Sequence, residues 1–149
     1  LQKRLEKDVL AKKPTVVVIY IGINDVWHGE KDPARGTPKD KFEAGLKDII
    51  GKIQAAGARV VLCTPTVIGE KKPGTNNLDK LLDEYAEIGR GVAKETKAVP
   101  CDLRKAFQDH ISKNNPDDKE KGILTSDRVH LNEAGNKLVA ETILKALDK

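Results

Sequence analysis

The chain has 149 residues, of which 38% are hydrophobic and 34% are charged, as is typical of one folded domain rather than a disordered chain. Its net charge of +4 is spread along the sequence, and aromatic residues make up only 3% of it. This composition argues against a nucleic-acid surface, which would cluster cations with aromatics. No apolar run is long enough to predict a membrane span.

The first part of the chain predicts a helix, a strand and a second helix. Leu1, Leu5, Val9 and Leu10 share one face of a helix that Lys13-Pro14 ends. Thr15 to Ile21 is continuously apolar and β-branched, which indicates a strand covered on both faces in a parallel sheet. Thr37 is the expected N-cap of the second helix, with Pro38 in its first turn, and Gly57 closes that helix. Its predicted apolar stripe consists of Phe42, Leu46, Ile49, Ile50 and Ile53.

The rest of the chain continues this alternation. Arg59 to Cys63 and Ala98 to Cys101 predict two further strands. A polar loop is expected from Asn115 to Thr125. Asn132 is the predicted N-cap of the last helix. Three further helices are predicted from their apolar faces, which we expect to be buried. These faces consist of Leu78, Leu81, Leu82, Tyr85, Ile88 and Val92, then Leu103, Phe107 and Ile111, then Leu138, Val139, Ile143 and Leu147.

Strands separated by single amphipathic helices predict an α/β fold with a parallel sheet and right-handed crossovers. In such sheets, ligands bind beyond the carboxyl ends of the strands. Asn24 and Asp25 follow the first strand, and Thr64 to Thr66 follow the second. We expect the Asp127 to His130 segment to reach the same edge of the sheet.

Two short motifs carry the chemistry. Asp127-Arg128-Val129-His130 supplies an imidazole and a carboxylate that can orient it, and Gly22-Ile23-Asn24-Asp25 supplies a side-chain amide able to donate to an oxyanion. Asn24 is also a common turn residue, and His130 could be an ordinary surface histidine. The only serines are Ser112 and Ser126, and neither is a convincing nucleophile.

The ordered pair of motifs resembles the SGNH, or GDSL-type, hydrolase family, whose Gly-x-Asn-Asp block follows a strand and whose Asp-x-x-His block precedes the last helix. The resemblance implies a three-layer, flavodoxin-like parallel sheet with helices on both faces. The chain would cover strands 3 to 5 and their helices. Residues 1–149 would then be the C-terminal portion of a single domain.

The resemblance also implies an activity, namely ester hydrolysis through an acyl-enzyme with no metal or organic cofactor. His130 would be the general base, Asp127 its orienting acid and Asn24 the oxyanion donor. Gly22, Trp27 and Thr64 are further candidates for contact with substrate. The expected substrate is a small-molecule, carbohydrate or lipid ester.

The family's Gly-Asp-Ser block and its glycine block have no counterpart before Gly22. We therefore expect the nucleophilic serine to come from polypeptide upstream of Leu1, and the 149 residues alone to be inactive. Without that polypeptide, Thr15 to Ile21 would form an open apolar edge. A missing N-terminal segment or another chain is expected to pair with it.

Two alternative functions would not use a serine nucleophile. Asp25 and His28 repeat the spacing of Asp127 and His130, so the four side chains could bind a divalent metal that activates water. The other alternative is a non-catalytic α/β domain that binds an acylated or glycan ligand.

Overall fold

The computed structural model describes residues 1–148, and over that range the chain forms three β-strands and six α-helices. The strands are β1 (Val16–Tyr20), β2 (Arg59–Cys63) and β3 (Val99–Cys101). The helices are α1 (Gln2–Asp8), α2 (Ile23–Lys31), α3 (Lys39–Ala55), α4 (Asp79–Thr96), α5 (Leu103–Asn114) and α6 (Glu133–Leu147).

The three strands form one parallel sheet in the order β1-β2-β3. Val18 pairs with Val61, and Cys63 pairs with both Tyr20 and Cys101. Each strand is followed by helix, as parallel neighbours require, because a tight hairpin cannot join them. The predicted parallel α/β sheet is confirmed.

Helices cover both faces of the sheet. On one face, Val60 and Leu62 of β2 pack with Ile50 of α3 and Leu82 of α4. On the other face, Val61 packs in a second cluster formed with α5 and α6. Ile50 and Leu82 are fully buried, and burial of each such side chain contributes about 1.5–3 kcal/mol. The predicted three-layer arrangement is therefore also confirmed.

The strand β1 lies at the edge of the sheet and is not covered on both faces. Val17 and Ile19 point toward the α3–α4 layer, whereas Val16 and Val18 point to the opposite side and are each 41% exposed. The prediction that this strand is covered on both faces is therefore wrong for the face that carries Val16 and Val18. The reason is positional, because α6 packs over β2 and β3 and leaves the outer half of that face bare.

The ends of the helices test the capping predictions. Pro38, not Thr37, occupies the N-cap of α3, and no side chain caps it, so the Thr37 prediction is wrong. Gly57 does close α3: its φ of 85° lets its N–H reach the carbonyl of Gln54. Asn132 caps α6 by accepting a hydrogen bond from the N–H of Gly135 at 2.9 Å, as predicted.

The predicted buried face of α6 is only partly buried. Leu138, Val139, Ile143 and Leu147 all keep intermediate exposure, and Ala146 is the deeply buried apolar side chain of this helix. The helix contacts β2, β3 and α5 but packs little against β1, so part of its apolar stripe is left uncovered.

Among the helices of residues 1–148, none combines the length and apolar character needed to cross a membrane.

Candidate active site

Gly22 turns the chain from β1 directly into α2. Its φ of 111° lies in the left-handed region that favours glycine, and its carbonyl accepts the N–H of Val26. A Cβ at this position would lie 3.2 Å from the ring of Phe42. Asn24 and Asp25 consequently sit in the first turn of a helix. Asp25 and His28, the first pair of the metal alternative, therefore both lie on α2.

The start of α2 also borders a cavity at the carboxyl end of β1. Gly22 and Asn24 line it together with Phe42 and Leu46 of α3, and its volume is about 340 Å³. No side chain caps α2, so the N–H groups of its first turn lack a side-chain acceptor and give this end a partial positive charge. Asn24 therefore stands where a developing negative charge would be stabilised.

Trp27 connects α2 to the Asp127–His130 loop. Its ring meets the imidazole of His130 edge-on, with centroids 5.6 Å apart and planes at 80°. Trp27 follows Asn24 by three residues on α2, and residues at that spacing share one side of a helix. His130 thus packs against the side of α2 that carries Asn24.

The carboxylate of Asp127 makes three hydrogen bonds, two of them with His130. Oδ2 of Asp127 lies 2.6 Å from Nδ1 of the imidazole, and Oδ1 accepts the backbone N–H groups of His130 and Val129 at 2.8 and 3.1 Å. An ionised carboxylate can only accept, so Nδ1 carries the proton and Nε2 is left as an acceptor. That tautomer is the one a general base requires.

These bonds lower the pKa of Asp127 to about 2; the largest contribution comes from the imidazole, followed by the two backbone N–H groups. A lowered pKa means that the stabilisation is complete above the ordinary value of 3.8 and is lost as the pH falls through about 2. We expect an NMR titration of the Asp127 carboxyl to give a midpoint near pH 2. In His130→Ala the midpoint should rise toward 3.8. A midpoint of 3.8 in the unaltered protein would contradict this geometry.

Glu70 fixes the loop that precedes Asp127. The Glu70 side chain is fully buried, and its carboxylate accepts the backbone N–H groups of Ile123, Leu124 and Thr125. The neighbouring N–H of Gly69 donates to the carbonyl of Arg128 at 2.8 Å. Sequence reasoning missed Glu70, because a glutamate in a polar segment normally indicates a solvent-exposed side chain.

Arg128 adopts a backbone conformation that non-glycine residues rarely take. Its φ is 89°, and its N–H donates to Oγ1 of Thr125 at 3.2 Å. Such conformations cost about 1–3 kcal/mol and persist where the surroundings hold them. The bonds from Gly69 and Thr125 provide that support between Asp127 and His130.

Gly135 lets α6 approach this loop. A Cβ there would lie 2.1 Å from the carbonyl oxygen of Leu124, so Gly135→Ala should lower the free energy of unfolding by about 1–3 kcal/mol. Gly51 is the matched control, since a Cβ at that α3 position meets nothing within 4 Å and Gly51→Ala should stabilise by about 0.5–1 kcal/mol. Urea unfolding of both variants tests the pair. Equal effects would contradict the close approach.

Neither serine presents its hydroxyl to the imidazole. Ser126 Oγ donates to the backbone carbonyl of His130 at 3.2 Å, and Ser112 lies exposed in α5. Cys63 does not replace them, because its hydrogen bond with Cys101 and its burial raise the pKa of its thiol well above the usual range. Cys63 is therefore not a thiolate at neutral pH.

Thr64 lies apart from this arrangement. Its buried hydroxyl donates to Asp102 at 3.2 Å and accepts the N–H of Arg104 at 2.9 Å, which ties β2 to the start of α5. The structure thus gives Thr64 a structural role and does not bring it to Trp27 and His130.

The metal alternative requires Asp25, His28, Asp127 and His130 to converge. The ring of His28 instead stacks on Trp27, with centroids 4.6 Å apart. Within the part of the chain that the structure describes, no three His, Cys, Asp or Glu side chains lie close enough to hold a metal ion. The arrangement gives this alternative no support.

With this geometry in place, comparison with known proteins decides the family. The sequence pattern of the GDSL-like lipase/acylhydrolase family matches residues 1–138. The chain belongs to this family. The resemblance drawn from residues 22–25 and 127–130 is therefore confirmed.

Relatives within the GDSL-like family include several esterases. The crystal structure of an acetyl xylan esterase matches 99% of this chain with a TM-score of 0.95 and 45% identity, and the match covers 74% of that chain. An acetylxylan esterase from Geobacillus stearothermophilus is 30% identical over 99% of this chain. An isoamyl acetate-hydrolyzing esterase 1 homolog from Mus musculus is 26% identical over 100% of it. The chain spans 65% and 62% of the lengths of these last two relatives.

Solved structures of the Geobacillus stearothermophilus acetylxylan esterase include three catalytic mutants, in which a serine, an aspartate or a histidine is replaced by alanine. The aspartate and the histidine are three positions apart in that protein, as Asp127 and His130 are here. Its serine lies near the start of its chain.

Proposed function

We propose that this chain carries the base, the orienting acid and one oxyanion donor of a serine esterase. The observation that carries the proposal is the Asp127–His130 pair, which packs against Trp27 on the side of α2 that holds Asn24. An imidazole held in the required tautomer beside an amide donor suits acyl transfer.

In the proposed mechanism, Nε2 of His130 takes the proton of a serine hydroxyl as its oxygen bonds to the ester carbonyl carbon. The Asn24 amide donates to the resulting oxyanion, and Asp127 stabilises the imidazolium without taking its proton. The carbon–oxygen bond to the alcohol then breaks, and the imidazolium returns the proton to the departing alcohol. Water repeats the sequence on the acyl-enzyme and releases the acid.

We propose further that the nucleophilic serine lies outside these 149 residues, so that they form the C-terminal portion of one domain. Three observations support this. Neither Ser112 nor Ser126 faces the imidazole. The outer strand β1 exposes Val16 and Val18, where additional polypeptide could pair and pack. The curated relatives are longer than this chain.

The proposed substrates are acetyl esters of carbohydrates. The relatives support this class, because two are named for acetylxylan and one for isoamyl acetate. Gly22 and Trp27 are the proposed substrate contacts, since they border Asn24 and His130. We propose no metal or organic cofactor for this reaction, because the Ser-His-Asp chemistry needs none.

The test uses the longer protein, which consists of these 149 residues together with the polypeptide proposed to supply the nucleophilic serine. We expect it to release acetate from acetylated xylan and to cleave p-nitrophenyl acetate much faster than p-nitrophenyl palmitate. We also expect a chelator to leave both rates unchanged. Faster cleavage of the palmitate would contradict the substrate class, and activity lost to a chelator and restored by a divalent metal would contradict the serine mechanism.

A further inference from the structure

A second cavity, of about 340 Å³, is bordered by Trp27 of α2. The Asp127–Val129 segment forms one wall of it, so the cavity opens directly beside the Asp127–His130 pair. Its size falls within the range of small-ligand sites. An acetyl group, with two carbons, would fill only a small part of it.

The lining combines an apolar base with a polar rim. The indole of Trp27 and the buried side chain of Ile68 supply the apolar surface. The rim consists of a carboxylate, an amide and two cations, from Glu30, Asn77, Lys31 and Arg128. A pocket for a long acyl chain would not be ringed by charges, because their desolvation is costly.

The rim side chains are available for a ligand. Within residues 1–148, the side chains of Glu30, Lys31 and Asn77 make no hydrogen bond or ion pair, and all three are exposed. Together they offer both donors and acceptors next to an aromatic ring. Sugar hydroxyls need such mixed partners, and the apolar face of a pyranose packs on an indole.

The wall that carries Asn77 is held in place by buried polar contacts. The Asp79 carboxylate accepts the backbone N–H groups of Gly74 and Asn76 at 2.9 and 3.1 Å. Asp79 is in turn paired at 2.8 Å with the guanidinium of Arg104, which is fully buried. These contacts hold the backbone on both sides of Asn77 in place before any ligand binds, so less of the chain must be ordered on binding.

We propose that this cavity binds a sugar ring of the carbohydrate whose acetyl group is removed. The role of this sugar site in catalysis rests on the proposed esterase function, because the bound ring would hold the scissile ester beside His130. Binding itself requires no nucleophile. It can therefore be tested on the 149-residue chain without measuring hydrolysis.

The experiment uses Trp27 as the reporter, because it is the only tryptophan in the chain. Unacetylated xylotetraose is titrated while the intrinsic fluorescence is recorded, and we expect a saturable change. Asn77→Ala and Glu30→Ala should each weaken binding about threefold to tenfold, as expected for loss of one hydrogen bond. Lys94→Ala, an exposed α4 position away from the cavity, is the matched control and should bind as the unaltered chain does.

No fluorescence change with xylotetraose would overturn the proposal, and so would equal binding by Asn77→Ala, Glu30→Ala and the unaltered chain. A response to 1-hexanol but not to the sugar would also overturn it in favour of an acyl pocket. Circular dichroism confirms that each variant is folded. If sugar binding is found but the longer protein hydrolyses no ester, the proposed function fails while the sugar site stands.

Discussion

Glu70→Ala is expected to lower the free energy of unfolding by about 3 kcal/mol or more. The substitution removes the common acceptor of three backbone N–H groups, those of Ile123, Leu124 and Thr125. Each N–H left buried without a partner costs about 1–3 kcal/mol. Because Glu70 is fully buried, water does not easily take its place.

Two further variants make this prediction specific. Glu84 is half-buried and pairs with Lys39 at the surface, so Glu84→Ala should change stability by less than about 1 kcal/mol. Glu70→Gln keeps one carbonyl oxygen but turns an amide N–H₂ toward an N–H donor, and it should fall between the other two. Urea unfolding measures all three. A Glu70→Ala effect as small as that of Glu84→Ala would contradict the anchoring role.

Loss of activity in the longer protein should accompany the loss of stability. The loop that Glu70 holds leads directly to Asp127, and misplacement of a catalytic group by about 1 Å can cost about 10²-fold in rate. In the folded Glu70→Gln protein, the midpoint of the NMR titration of Asp127 should also rise from its low value. An effect on stability alone would not change this midpoint.

His130→Ala is expected to lower the turnover of the longer protein by about 10⁴–10⁶, because the serine hydroxyl then has no base to take its proton. Asn24→Ala should cost about 10²–10³, the usual effect of losing one oxyanion donor. Both losses should appear in kcat more than in KM, since both groups act on charge that develops in the transition state.

Matched controls exist for both substitutions. His110→Ala removes a half-buried imidazole on α5, and Asn136→Ala removes an exposed amide on α6. Neither should change kcat by more than about twofold, since surface substitutions have small effects. Initial rates on p-nitrophenyl acetate measure all four variants. A rate for His130→Ala equal to that of His110→Ala would remove His130 from the mechanism.

The layer architecture could be predicted because hydrophobic periodicity determines it. The β-branched run at Arg59 to Cys63 formed β2 with the predicted bounds, and the stripe from Phe42 to Ile53 became the buried face of α3. The exposure of Val16 and Val18 could not be read from their own composition. It depends on which strand lies at the edge and how far α6 reaches, and both are tertiary properties.

The site could be predicted where it rests on local motifs and not where it rests on long-range contacts. The Asp127–His130 bond follows from a three-residue spacing in one loop. Glu70 reaches Leu124 across more than fifty positions of sequence, and no local pattern indicates that contact. Thr64 follows a strand as expected, yet its hydroxyl is hydrogen-bonded to Asp102 and to the N–H of Arg104 and does not face a substrate site. The carboxyl end of a strand predicts a location and not a role.

The most direct measurement for the whole account is labelling with a serine-directed fluorophosphonate, followed by peptide mapping. We predict that the 149-residue chain alone takes up no label, and that the longer protein is labelled on a serine outside these residues in a reaction that His130→Ala abolishes. Label on Ser112 or Ser126, or efficient labelling of the 149-residue chain by itself, would contradict it.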